Sequence, residues 1–137
     1  MKKPILEYKN TNQLLESLNE WQERLGLSHW VINAHHNCTP DEMIKCNVAG
    51  ECEWQEVNKS AVIRLADAKL YGRRILKYCA EKTLVHELLH IKLCMLGESG
   101  NHLQDRIQHQ IIEDMAKALI AAKYDLSLKW FEEDADA

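Results

Sequence analysis

The sequence predicts an α+β domain with an N-terminal helix, a small twisted sheet and two closing helices. Three observations predict it. Apolar residues recur at spacings of three and four near the N-terminus and again over the C-terminal half. Between these regions they alternate with polar residues. Turn residues rather than linkers separate the segments, so the 137 residues read as one domain, 1–137. The sheet is expected to hold about three strands and to be rich in antiparallel pairing.

The first helix is expected from Asn12 to Leu25. Leu14, Leu18, Trp21 and Leu25 share one face, Thr11 or Asn12 caps the start, and Gly26 stops it. His29 to His36 reads as a strand with Trp30, Ile32 and Ala34 pointing one way. Asn37 to Lys45, with Pro40 and Asp41, reads as a loop. Val48 to Val57 alternates again, and Ser60 to Ala66 follows the turn Asn58-Lys59. These two runs read as an antiparallel hairpin. Asp67 to Arg74 is a loop.

A third pattern opens near Ile75 or Cys79 and runs to Leu96, where Gly97-Glu98-Ser99-Gly100-Asn101 ends it. The last long helix spans about Leu103 to Ala122, with Ile107, Ile111, Ile112, Met115, Leu119 and Ile120 on its apolar face. A short helix is expected around Leu126 to Phe131, and the acidic end, 132–137, is expected to fray.

Composition narrows the function. Apolar residues make up 46% and charged residues 28%, an ordinary globular balance. No run approaches the roughly 18 to 20 apolar residues that span a bilayer, and Glu7 interrupts any signal-peptide core. A cytoplasmic location is the default, with no membrane partner. The net charge is −4, and four acids lie within the last six residues, so the rest of the chain is near neutral. Without a basic stripe, nucleic acid is not an expected partner. Lys69, Arg73 and Arg74 form only a short basic loop. The five cysteines contain no CxxC pair and read as free, mostly buried thiols. His35, His36, Cys38, Cys46 and Cys52 are too irregularly spaced to read as a second zinc site.

One segment carries chemistry: His86-Glu87-Leu88-Leu89-His90. On a helix, positions four apart lie on one face, so His86 and His90 can converge on one tetrahedral zinc ion. Glu87 can reach a bound water, whose pKa zinc lowers to about 7, and act as general base. Random placement of this chain's His and Glu would yield this HExxH pattern about 0.04 times. The surrounding Leu84, Val85, Leu88, Leu89 and Ile91 make the helix apolar and hence buried. Burying two His and a Glu costs several kcal/mol unless they are paired or hold a metal. Two ligands leave the centre incomplete. On the next helix His109 lies 19 residues beyond His90, and Glu113 lies one turn beyond His109.

This arrangement resembles the gluzincin class of zinc metallopeptidases. In that class the third ligand is a Glu on a second antiparallel helix, with an acid one turn later supporting a ligand His. The resemblance places His86 and His90 as ligands, Glu87 as the base, His109 as the third ligand and Glu113 behind a ligand His. Here a His stands where the family has Glu, which is chemically sound for zinc. Glu113 itself ranks second as third ligand and His102 third. The metzincin spacing fails, because its position is Leu96.

The chain also resembles minimal zincin-like peptidases of phages and mobile elements, through residues 81–90 and 109–116. The resemblance implies one Zn2+ ion, a protein or peptide substrate, and an edge strand above the metal that holds it. Ser60 to Ala66 is the expected edge strand, and a transition-state donor is expected, with Tyr71, Tyr78 and Tyr124 as candidates among which no pattern chooses. The alternative function is a non-catalytic zincin-like module with a structural zinc acting in protein–protein interaction. The presence of Glu87 favours catalysis, since a structural centre needs no base.

Overall fold

The computed structural model describes residues 2–45, 47–70, 77–97 and 100–132. Helix α1 spans Thr11–Arg24 and buries Leu14, Leu18 and Trp21 on one face. Its cap is Asn10, one residue before the expected position. The Asn10 side chain accepts from the Gln13 amide at 2.8 Å, and a short carbonyl side chain is among the best acceptors at this position. Gly26 follows with φ +71°, a left-handed turn that a β-carbon would oppose, and ends the helix as expected.

Three strands form the sheet: β1 (Val31–Cys38), β2 (Gly50–Gln55) and β3 (Ser60–Ala66), in the order β1-β3-β2. β2 and β3 are the expected antiparallel hairpin, with Cys52 opposite Ile63 and Trp54 opposite Ala61. β1 pairs with β3 in parallel, with Ile32 opposite Ala61.

Two expectations change here. The sheet is mixed rather than antiparallel-rich. β3 is also its central strand and therefore not an edge. The cause is the connection after β1. The chain leaves β1 at one edge of the sheet and enters β2 at the other, and the hairpin then returns β3 into the gap. The free edge beside the second half of the chain belongs to β2.

Helix α2 (Ala80–Lys92) lies on the sheet, and α3 (His102–Tyr124) packs beside α2. Leu84, Val85, Leu88 and Ile91 of α2 meet Ile63 and Leu65 of the sheet and Ile112 and Ile120 of α3 in one apolar cluster. The turn after α2 is a short 3-10 segment, Cys94–Leu96, so the regular helix stops four residues before Leu96. α3 is capped by Asn101, whose side chain accepts from Leu103 and Gln104. A 3-10 turn, Leu128–Glu132, takes the place of the expected short helix. Residues 133–137, like Tyr71, Arg73 and Arg74, lie outside the described residues. No described helix is long and apolar enough to cross a membrane.

A buried carboxylate ties these parts together. Glu81, in the first turn of α2, is fully buried. It accepts from the Ile5 amide at 3.0 Å, the Trp21 indole at 2.9 Å, the Lys123 ammonium at 2.8 Å and the Tyr124 hydroxyl. The N-terminal segment and all three helices thus meet at one side chain. Lys123 also pairs with Glu20 on α1 at 2.8 Å. These partners raise the Lys123 pKa against the opposing effect of burial. A buried charge with fewer partners would be costly.

Candidate metal centre

α2 presents His86, Glu87 and His90 to one cleft, and α3 brings His109 to it. His86 and Glu87 are buried, at 8% and 6% exposure, while His109 stands at the open side. The ring centroids are 5.0 Å apart for His86 and His90, 4.7 Å for His86 and His109, and 5.6 Å for His90 and His109. One ligand atom from each of the three lies within 4.8 Å of the others.

The donor atoms suit a metal. Nε2 of His86 and Nε2 of His90 stand 3.2 Å apart. Tetrahedral zinc with Zn–N bonds of about 2.0–2.1 Å sets two ligand nitrogens about 3.3 Å apart. Behind His86, its Nδ1 faces Oε1 of Glu113 at 2.9 Å. A carboxylate accepts, so Nδ1 carries the proton and Nε2 turns its lone pair inward. Burial, reinforced by the neighbouring imidazoles, lowers the His90 pKa to about 4, and burial lowers that of His109 as well. Both rings are therefore neutral near pH 7, the form that ligates metals.

Glu113 is an anion held from two sides. Burial opposes its charge, but hydrogen bonds from His86 and Lys82 win and bring its pKa down to about 2. The Lys82 ammonium lies 2.9 Å from Oε2.

Glu87 is perturbed the other way. Burial raises its carboxyl pKa to about 7, against the lowering influence of His86, Lys45 and Lys82. Its side chain leans toward the start of β2. There Gly50 comes so close to α2 that an added Cβ would lie 2.6 Å from Thr83 Cγ2 and 3.5 Å from Glu87 Cγ. β2 can approach α2 this closely only because residue 50 has no side chain.

These groups line a cleft of about 530 Å³ between α2, α3, β2 and the segment ahead of β2. That segment is anchored by Glu51. Its carboxylate accepts from the amides of Ile44 and Lys45 at 2.9 Å each and from Arg64 at 2.9 Å. Lys45 borders the cleft, and its charge acts on Glu87, His90 and His109.

The structure thus brings His86, Glu87, His90, His109 and Glu113 into one cleft. His109 groups with the two motif histidines, and Glu113 sits behind His86. His102 begins α3, about 10 Å along the axis from His109, and is not in the group. The expected donors fare differently. Tyr78 donates to the Ala66 carbonyl at 2.8 Å and Tyr124 to Glu81, and neither lines the cleft. Tyr71 lies outside the described residues. Among those residues, His35, His36, Cys38 and Cys52 form no metal-holding group, and Cys46 is not described.

Sequence reasoning missed Lys82, Gly50, Glu51 and Lys45. Lys82 had a signal, since it lies four residues before His86 and thus on the same helical face. The other three depend on how the 39–49 connection folds. No family model, no curated protein and no solved structure matches this chain.

Proposed function

We propose that this chain is a zinc-dependent metallopeptidase that hydrolyses peptide bonds with Glu87 as general base. The observation that carries the reading is the convergence of three imidazoles beside a carboxyl poised near pH 7 in one open cleft. Zinc held by His86, His90 and His109 would polarise the scissile carbonyl and bring the pKa of a water down to about 7.

The residues supply the rest. Glu87 takes a proton from the attacking water and delivers it to the leaving amine nitrogen. A base is most effective when its pKa is near the working pH, which is where burial puts Glu87. Gly50, Cys52 and Trp54 of β2 line the cleft. Among the described residues no strand pairs with the outer edge of β2, so an extended peptide can add to it. That role passes from β3 to β2. Lys45, whose charge acts on Glu87, His90 and His109 across the cleft, would stabilise the negative charge that gathers on the carbonyl oxygen, the role expected of a tyrosine.

The test is Glu87→Gln in zinc-loaded protein, with labelled casein as substrate. Cleavage should fall by at least about 100-fold while zinc stays bound. Unchanged cleavage removes Glu87 as the base. A wild-type protein that binds zinc and cleaves nothing favours the non-catalytic module.

A further inference from the structure

We propose that Lys82 is a positioning residue for the metal centre, holding Glu113 against His86 so that the His86 Nε2 lone pair faces the metal. This rests on the metal-binding part of the reading above and not on peptide hydrolysis.

The geometry is a chain of three side chains across the α2–α3 contact. Lys82 Nζ lies 2.9 Å from Oε2 and 3.2 Å from Oε1 of Glu113. Oε1 in turn faces His86 Nδ1 at 2.9 Å. Lys82 and His86 are one turn apart on α2, so both reach the same carboxylate on α3. Nδ1 and Nε2 lie on opposite sides of the imidazole ring, so the carboxylate and the metal position flank His86. All three side chains are partly or largely shielded, at 16% exposure for Lys82, 26% for Glu113 and 10% for His86. An exposed lysine pair would constrain little, whereas a shielded one has few other partners to exchange for.

The physical need is specific. A neutral His can carry its proton on either nitrogen, and only the Nδ1–H form leaves Nε2 free to ligate. Glu113 selects that form by accepting from Nδ1. A carboxylate one turn from His109 could also swing toward solvent or toward the metal itself. With Oε2 on Lys82 and Oε1 between Lys82 and His86, it does neither. Lys82 therefore acts through Glu113. Partners of this kind commonly change metal affinity by about 10- to 100-fold.

The experiment compares wild type, Lys82→Met, Lys82→Arg, Glu113→Gln and the double variant Lys82→Met/Glu113→Gln. Zinc affinity is read by competition with a chromogenic chelator, and the Co2+-loaded proteins are compared by visible absorption. Lys82→Met should weaken zinc binding at least tenfold and alter the Co2+ bands. Lys82→Arg should restore most of both. In the Glu113→Gln background, Lys82→Met should have little further effect, because the two act in series.

A metal-free readout is the His86 tautomer by 15N chemical shifts. Wild type should show the Nδ1–H form and Lys82→Met a mixture. Unchanged zinc affinity in Lys82→Met, or effects that add to those of Glu113→Gln, overturns Lys82's role while leaving the metal centre standing. A wild-type protein that takes up neither zinc nor Co2+ removes the metal centre and this role with it.

Discussion

Gly50 on β2 and Thr83 on α2 stand so close that a methyl group on the glycine would lie 2.6 Å from Thr83 Cγ2. No β-carbon occupies such a position without something moving. Gly50→Ala should destabilise the fold by about 1–3 kcal/mol, measured by urea denaturation. Thr83→Ser removes the obstructing methyl and keeps the hydroxyl that donates to the Cys79 carbonyl. The double variant should recover most of the loss. Additive losses would mean that the two residues do not oppose each other.

Glu81 should matter to stability and not to metal binding. It is absent from the cleft, yet it receives four donors from three other segments. Glu81→Gln keeps the shape but removes the charge that balances Lys123. The expected loss is about 3 kcal/mol or more, with zinc affinity unchanged. A melting point equal to wild type would contradict the role assigned to this side chain.

The metal-free protein should show two opposing pH effects. His90 titrates near 4 when folded against its ordinary 6.5, and His109 is lowered too. Their contribution is present above pH 6.5 and fades as pH falls toward 4. Glu87 is raised to about 7 from its ordinary 4.5. Its contribution is present below 4.5 and is lost as pH rises through 7. The slopes oppose each other between pH 4.5 and 6.5. In metal-free Glu87→Gln only the histidine slope remains, so stability should rise with pH across that window. In the metal-free double variant His90→Asn/His109→Asn only the Glu87 slope remains, and stability should fall. Denaturation at pH 4.5, 5.5 and 6.5 reads both signs.

Lys45 should act on turnover rather than on metal uptake. It borders the cleft and is not part of the histidine group. Lys45→Met should lower kcat by about 100-fold, with KM and zinc affinity within a few-fold of wild type. A rise in KM alone would make Lys45 a substrate-binding group instead.

Much of this was legible beforehand because helices report on themselves. The three- and four-residue spacings located α1, α2 and α3 to within a few residues, since the face a side chain takes is set by local geometry. The same logic placed His86 and His90 together. Bringing His109 to them needed α3 to return alongside α2, which the stop signal Gly97-Glu98-Ser99-Gly100-Asn101 in the sequence favours. Strand neighbours are a different matter. Alternation in Ser60 to Ala66 shows which side chains face the core, but nothing in it says that β1 will lie on one side and β2 on the other. Glu81 was hidden for a related reason. A Glu in the first turn of a helix is ordinarily exposed, and its burial comes from α1, α3 and the N-terminal segment all folding over it. Tyr78 and Tyr124 dropped out as donors because an aromatic hydroxyl takes whichever acceptor the packing brings near.

His86 and His90 already hold their inner nitrogens 3.2 Å apart, on a helix whose inner face is locked into the apolar cluster. That arrangement of the two nitrogens is thus a by-product of chain folding, and an arriving ion would meet a pair of donors that need little rearrangement. A chelator should strip such a protein without unravelling it, and re-addition should restore the loaded form within mixing time. A zinc finger, whose fold exists only while its ion is present, behaves in the opposite way.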